Sequence, residues 1–122
     1  MTVPPGLIFV RRWLLTRRHP RELGIVPVAE EWLDVYIDNR RTGGQWVRVA
    51  AYDEFIVVAH LRFLVDEYRV IRTAMQRPGP FGTVHFRFQL RNRWVTLVLN
   101  ADSSALRLLE QRLDVKRASW SP

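Results

Sequence analysis

Three histidines, His19, His60 and His85, are the side chains best suited to proton transfer near neutral pH. His19 falls in a basic connector and His60 sits among apolar neighbours. His85 occupies an outward position on an alternating strand, which makes it the one residue on which an acid–base enzyme could be built. No nucleophile is paired with it in sequence. Asp34 and Asp38, four residues apart on a strand, place their carboxylates about 13 Å apart by strand rise. That span suits neither a shared metal nor a two-carboxylate glycosidase. No histidine pair has metal-ligand spacing, no glycine-rich phosphate loop occurs, and Gly79-Pro80-Phe81-Gly82 reads as a turn. Ser103 and Ser104 at a helix start are explained by N-capping. The sequence therefore points away from catalysis, and it calls for no cofactor and no metal.

Binding chemistry is better represented. Trp32, Tyr36, Trp46 and Trp94 alternate with Arg48, Arg87, His85, Gln89 and Thr96 at outward strand positions. Aromatic rings that stack on bases, set among guanidinium groups that take phosphates, make a platform for single-stranded DNA or RNA. Arg11, Arg12, Arg17, Arg18 and Arg21 place five guanidinium groups in eleven residues, and Arg40 and Arg41 lie in a loop; both sets would extend the phosphate track. Trp, Tyr and Arg are equally the residues of protein interfaces, so the alternative is a protein-interaction module: a homodimer, or an accessory subunit or inhibitor of a larger machine. Asp34 and Asp38 share the same face, where they would weaken phosphate binding or neutralise Arg48 or Arg87 across strands.

The composition narrows the partners. The chain has 122 residues, enough for one domain with its own core, and 48% hydrophobic residues exclude a disordered reading. The net charge is +7, and Lys116 is the only lysine among 19 basic residues. GC-rich coding alone can exchange lysine for arginine, so the ratio says little, but the excess charge favours an anionic partner: nucleic acid or an acidic protein surface. The sequence contains no cysteine, which removes disulfides, thiolate metal sites and thiol nucleophiles and fits a reducing, cytoplasmic setting. The apolar run Leu7 to Leu15 is broken by Arg11 and Arg12, so neither a membrane span nor a signal peptide is expected.

The elements that must position these residues follow from periodicity. Residues 1–6 read as a flexible start and Leu7 to Leu15 as a strand. Trp32 to Asp38 alternates with Leu33, Val35 and Ile37 inward, a loop follows at 39–44 with Gly43-Gly44 as its turn, and Gln45 to Ala51 returns with Val47 and Val49 inward. Asp53 is placed to cap a helix running to about Gln76, ended by Arg77-Pro78-Gly79-Pro80. Its apolar residues form two rows, Val57 to Met75 and Phe55 to Val70, which requires cover on more than one side. Thr83 to Leu90, a turn at Arg91-Asn92 and a return strand through Val95, Leu97 and Leu99 form a second hairpin. A short helix capped by Asp102 carries Ala105, Leu106, Leu109 and Leu113, and 116–122 is a loose tail from which Trp120 can dock. The matched segments at 45–49 and 93–97 suggest a weak internal repeat. The expected fold is thus α+β: a mainly antiparallel sheet of four or five strands from two hairpin–helix units, with two helices packed on one face.

Overall fold

The computed structural model describes residues 18–42, 46–59 and 64–117. The expected strand at 7–15, Arg11, Arg12, Arg17, Gly43, Gly44, His60, Trp120 and most of the tail lie outside the described residues. Within them the chain is mostly β with one α-helix, and the α+β expectation is overturned. The strands are β1 (Ala29–Leu33), β2 (Val35–Ile37), β3 (Arg40–Arg41), β4 (Val47–Ala51), β5 (Phe55–Val58), β6 (Leu64–Glu67), β7 (Ile71–Pro78), β8 (Thr83–Leu90), β9 (Arg93–Asn100) and β10 (Val115–Arg117), with α1 at Ser104–Arg112. They form two sheets: β1-β4-β5-β6, and β10-β7-β8-β9-β2-β3. All pairings are antiparallel except β10 against β7.

The largest correction falls on 53–76. Instead of a helix, β5 and β6 pair with Val57 opposite Val65 and Phe55 opposite Glu67, a 3-10 turn spans Tyr68–Val70, and β7 follows. Two causes favour strands. Ile56, Val57, Val58, Val65, Val70 and Ile71 are β-branched and lose rotamer freedom in a helix. The two apolar rows are also what a strand buried on both faces produces: Phe55–Val58 is buried at every position. Asp53 caps nothing; its carboxylate takes a hydrogen bond from Arg112 at 3.0 Å, and the β4–β5 turn closes through Tyr52 N–H to the Phe55 carbonyl.

The expected strand 32–38 is divided. Up to Leu33 it pairs with β4, with Trp32 opposite Arg48; from Val35 it pairs with β3 and β9, with Tyr36 opposite both Arg41 and Thr96. Asp34 is the corner where one strand changes sheets, and its carbonyl accepts the Val98 N–H at 3.1 Å. The tight turn lies at Asp38-Asn39, both with positive φ, which short polar side chains tolerate. The segments at 45–49 and 93–97 belong to different sheets, so the repeat has no structural counterpart.

The second hairpin agrees with its sequence pattern. Phe86, Phe88, Val95, Leu97 and Leu99 are fully buried between the sheets with Val35, Val47, Val49 and Val58. At its turn Arg91, not Asn92, takes the left-handed conformation. Helix α1 closes one end of this core with Ala105, Leu106, Leu108 and Leu109. Ser103 rather than Asp102 is its cap, accepting the Leu106 N–H and donating its hydroxyl to Glu31 at 2.6 Å. Lys116 belongs to β10, not to a loose tail, and lies opposite Met75.

Candidate nucleic-acid interface

Because β8 and β9 bury their even–odd partners in the core, the alternate residues of the six-stranded sheet form its outer face. The register places them in rows. Met75, Arg87, Thr96, Tyr36 and Arg41 lie side by side across β7, β8, β9, β2 and β3; Arg77, His85 and Val98 form a second row, and Arg72, Gln89 and Trp94 a third. Of the residues singled out in the sequence, Tyr36, His85, Arg87, Trp94 and Arg41 come together here. Arg40 is exposed at the β3 edge.

Side-chain geometry on this face is specific. The Arg87 guanidinium carbon lies 4.4 Å from the centre of the Trp94 ring, a cation–π contact. Asp38 holds Trp94 in place: its carboxylate accepts the Trp94 N–H at 3.0 Å and its own N–H donates to the Trp94 carbonyl. Asp34 takes the Arg41 guanidinium at 3.1 Å. Both acidic residues that threatened phosphate binding are thereby occupied. Burial, and secondarily the charge of Arg77, pushes the His85 imidazole below its ordinary value of 6.5, so the ring is neutral at pH 7. The ring packs over Gly79, where a Cβ would come within 2.7 Å of His85 Cδ2. No hydrogen bond joins His85 to a hydroxyl or carboxylate among the described residues, and no group of three or more His, Asp or Glu side chains there is placed to hold a metal.

Arg48 is the main correction to the site. It is 2% exposed, on the far side of the four-stranded sheet. Its Nη2 meets Glu22 at 2.6 Å and Glu30 at 2.8 Å, while Tyr52 donates its hydroxyl to Glu22 at 2.7 Å. Residues 18–28 deliver Glu22 through a 3-10 turn at Pro20–Glu22 whose cap is His19. Burial opposes charge on Glu22, but hydrogen bonds from Arg48, Tyr52 and the His19 N–H outweigh it and hold the carboxyl below its ordinary range. Burial and the neighbouring Glu22 push the Tyr52 phenol up to about 12. Ala50, Tyr52, Phe55 and Val57 make a second small core beside this cluster, with the exposed Arg21 guanidinium 4.2 Å above the Phe55 ring. Arg21 and the exposed Arg18 thus belong to this side of the molecule. The clue was in β4 itself: Val47–Ala51 offers only Arg48 as a polar residue, too little polarity for a solvated face.

Trp32 and Trp46 are separated from Tyr36 and Trp94. They project at the corner between the sheets, 46% and 64% exposed. Arg72, which the sequence pattern places inside the expected helix, and Arg77, placed at its end, both belong to β7 and flank the outer face of the six-stranded sheet. The chain matches no protein-family model and no curated protein. Its class is therefore defined by architecture and side chains: a two-sheet β protein with one basic, aromatic sheet face. Among the described residues no helix is long and apolar enough to cross a membrane.

Proposed function

We propose that this protein is a non-enzymatic binder of single-stranded nucleic acid that uses the outer face of its six-stranded sheet. The observation that carries the proposal is Arg87 stacked on Trp94 beside Tyr36 and His85, flanked by Arg72 and Arg77, on a face whose two acids are already engaged. A broad sheet face cannot enter a duplex groove, but splayed bases can stack on its rings while arginines take the phosphates. The +7 charge steers an anionic strand toward it. The lack of cysteine fits a cytoplasmic setting for such a protein.

Fluorescence titration with single-stranded and duplex oligonucleotides at two salt concentrations tests this. Single strands should quench tryptophan emission, and log K should fall with log salt by about 0.7 per neutralised phosphate. Trp94→Ala should weaken binding by about 1–3 kcal/mol. Binding that ignores both salt and this substitution would sink the proposal.

A second reading has its own observation. Leu23, Val26 and Val28 are 72%, 88% and 54% exposed along one short segment, and exposed apolar patches mark interaction sites. A protein partner, or a second copy of the chain, would cover it. Light scattering across a dilution series tests the homodimer, and a strict monomer at high concentration excludes it.

A further inference from the structure

At the corner where β1 becomes β2, Trp32 and Trp46 flank an open cleft of about 410 Å3 that is also lined by Glu31, Asp34, Asn100 and Val98. Its volume is that of a small-ligand site. In a chain of net charge +7, no arginine or lysine lines it among the described residues. The polar residues are Glu31, Asp34, Asn100 and Thr83, and the apolar ones are Trp32, Trp46, Leu33 and Val98. Such a lining repels phosphate and suits a flat ring with N–H donors on its edge.

The cleft is continuous with the proposed binding face. Val98 lines the cleft and pairs with His85 in the row that leads to Arg77, and its N–H is bound by the carbonyl of Asp34. A strand lying on the arginines thus has a base-sized recess at its side. The two carboxylates are not equivalent. Asp34 is engaged by Arg41, whereas Glu31 accepts one hydrogen bond, from Ser103 to Oε2. Glu31 Oε1 takes none among the described residues.

We infer that this cleft receives one unpaired base of the bound strand, stacked on Trp32 or Trp46, and that Glu31 selects guanine. Guanine alone among the common bases carries two adjacent donors, N1–H and the N2 amino group, on its Watson–Crick edge. A carboxylate accepts from such an edge, and unpaired bases are read there. Adenine and cytosine offer only an amino group next to an acceptor, which a carboxylate repels. The inference rests on the nucleic-acid reading, which places the strand on the adjoining face.

The test compares a uridine nonamer with the same strand carrying one central guanosine, by anisotropy at low salt. The guanosine strand should bind roughly five- to a hundredfold more tightly, the range of one good paired base contact. Glu31→Gln, which keeps an acceptor for Ser103, should bring the guanosine strand down to the affinity of the uridine strand, and Trp46→Ala should narrow the gap. Trp94→Ala, which strips the sheet face, should weaken both strands alike. Equal binding of the two strands, or a preference that survives Glu31→Gln, overturns the inference while leaving the sheet-face reading in place. If neither strand binds, the sheet-face reading falls and takes this inference with it. A thermal melt of each variant separates lost recognition from lost folding.

Discussion

On the outer side of the four-stranded sheet, Arg48 lies beneath residues 18–28 with Glu22 and Glu30 on its guanidinium. On the outer side of the six-stranded sheet, Arg87 lies half-buried against Trp94. Both arginines follow the same strand alternation, and each stands across from an aromatic residue or beside one. What separates them is what lies on top. A buried carboxylate converts Arg48 into part of the interior, whereas Arg87 keeps a half-buried place over the Trp94 ring. Charge alternating with aromatics on a strand is therefore a statement about a face, and the neighbour of that face decides whether it supports folding or recognition.

The sharpest way to break the comparison is to remove each arginine's charge. Arg48→Met should cost about 3–5 kcal/mol in a denaturant unfolding experiment, because it leaves the Glu22 carboxylate buried without its partner. Arg87→Met, which removes a cation–π contact worth about 0.5–1 kcal/mol at a partly exposed site, should cost less than Arg48→Met and should reduce strand binding instead. A similar stability loss in the two variants would erase the distinction.

Acid should act on the two faces at different pH. Glu22 has a folded pKa below its ordinary 4.5, so its contribution to stability is complete above that value and is lost as pH falls through the folded pKa. The stability gap between the native protein and Arg48→Met should accordingly narrow in strong acid, as followed by unfolding at a series of pH values. A gap independent of pH would mean that the pair contributes nothing through charge.

The smallest effect concerns His85. Its folded pKa is depressed below 6.5, so the native state binds fewer protons than the unfolded one between the two values, and acidification through that window costs stability. The same protonation adds a positive charge to the binding face. Strand affinity should thus rise modestly as pH falls through the folded pKa while the melting temperature falls, and His85→Gln should remove both trends. Persistence of either trend in that variant would assign it to another group.

Much of the six-stranded sheet was legible before the structure. Thr83 to Leu99 alternates cleanly because one side is core and the other is not, and the α1 stripe of Ala105, Leu106 and Leu109 is equally plain. The four-stranded sheet was not. Strands β4 and β5 are buried on both faces, so the alternation that marks a strand disappears and the apolar positions can be fitted to a helix. That error carried Arg72 onto a false helix and hid its place beside Gln89 and Trp94. The division at Asp34 was also unreadable, because a strand that changes sheets keeps its alternation unbroken.

By itself, then, the sequence determined the residue types on offer: arginine, tryptophan and tyrosine at alternating positions, an apolar β8–β9 hairpin and no cysteine. These are consequences of local spacing and composition. Only the tertiary structure decided which arginine would be buried, that Trp32 and Trp46 would flank a cleft apart from Tyr36 and Trp94, and that Asp34 and Asp38 would be occupied. Those outcomes depend on contacts between residues far apart in sequence, 56 positions for Asp38 with Trp94 and 72 for Glu31 with Ser103. Strand period reports which side of a strand a residue takes, but carries no information about what the chain later lays against that side.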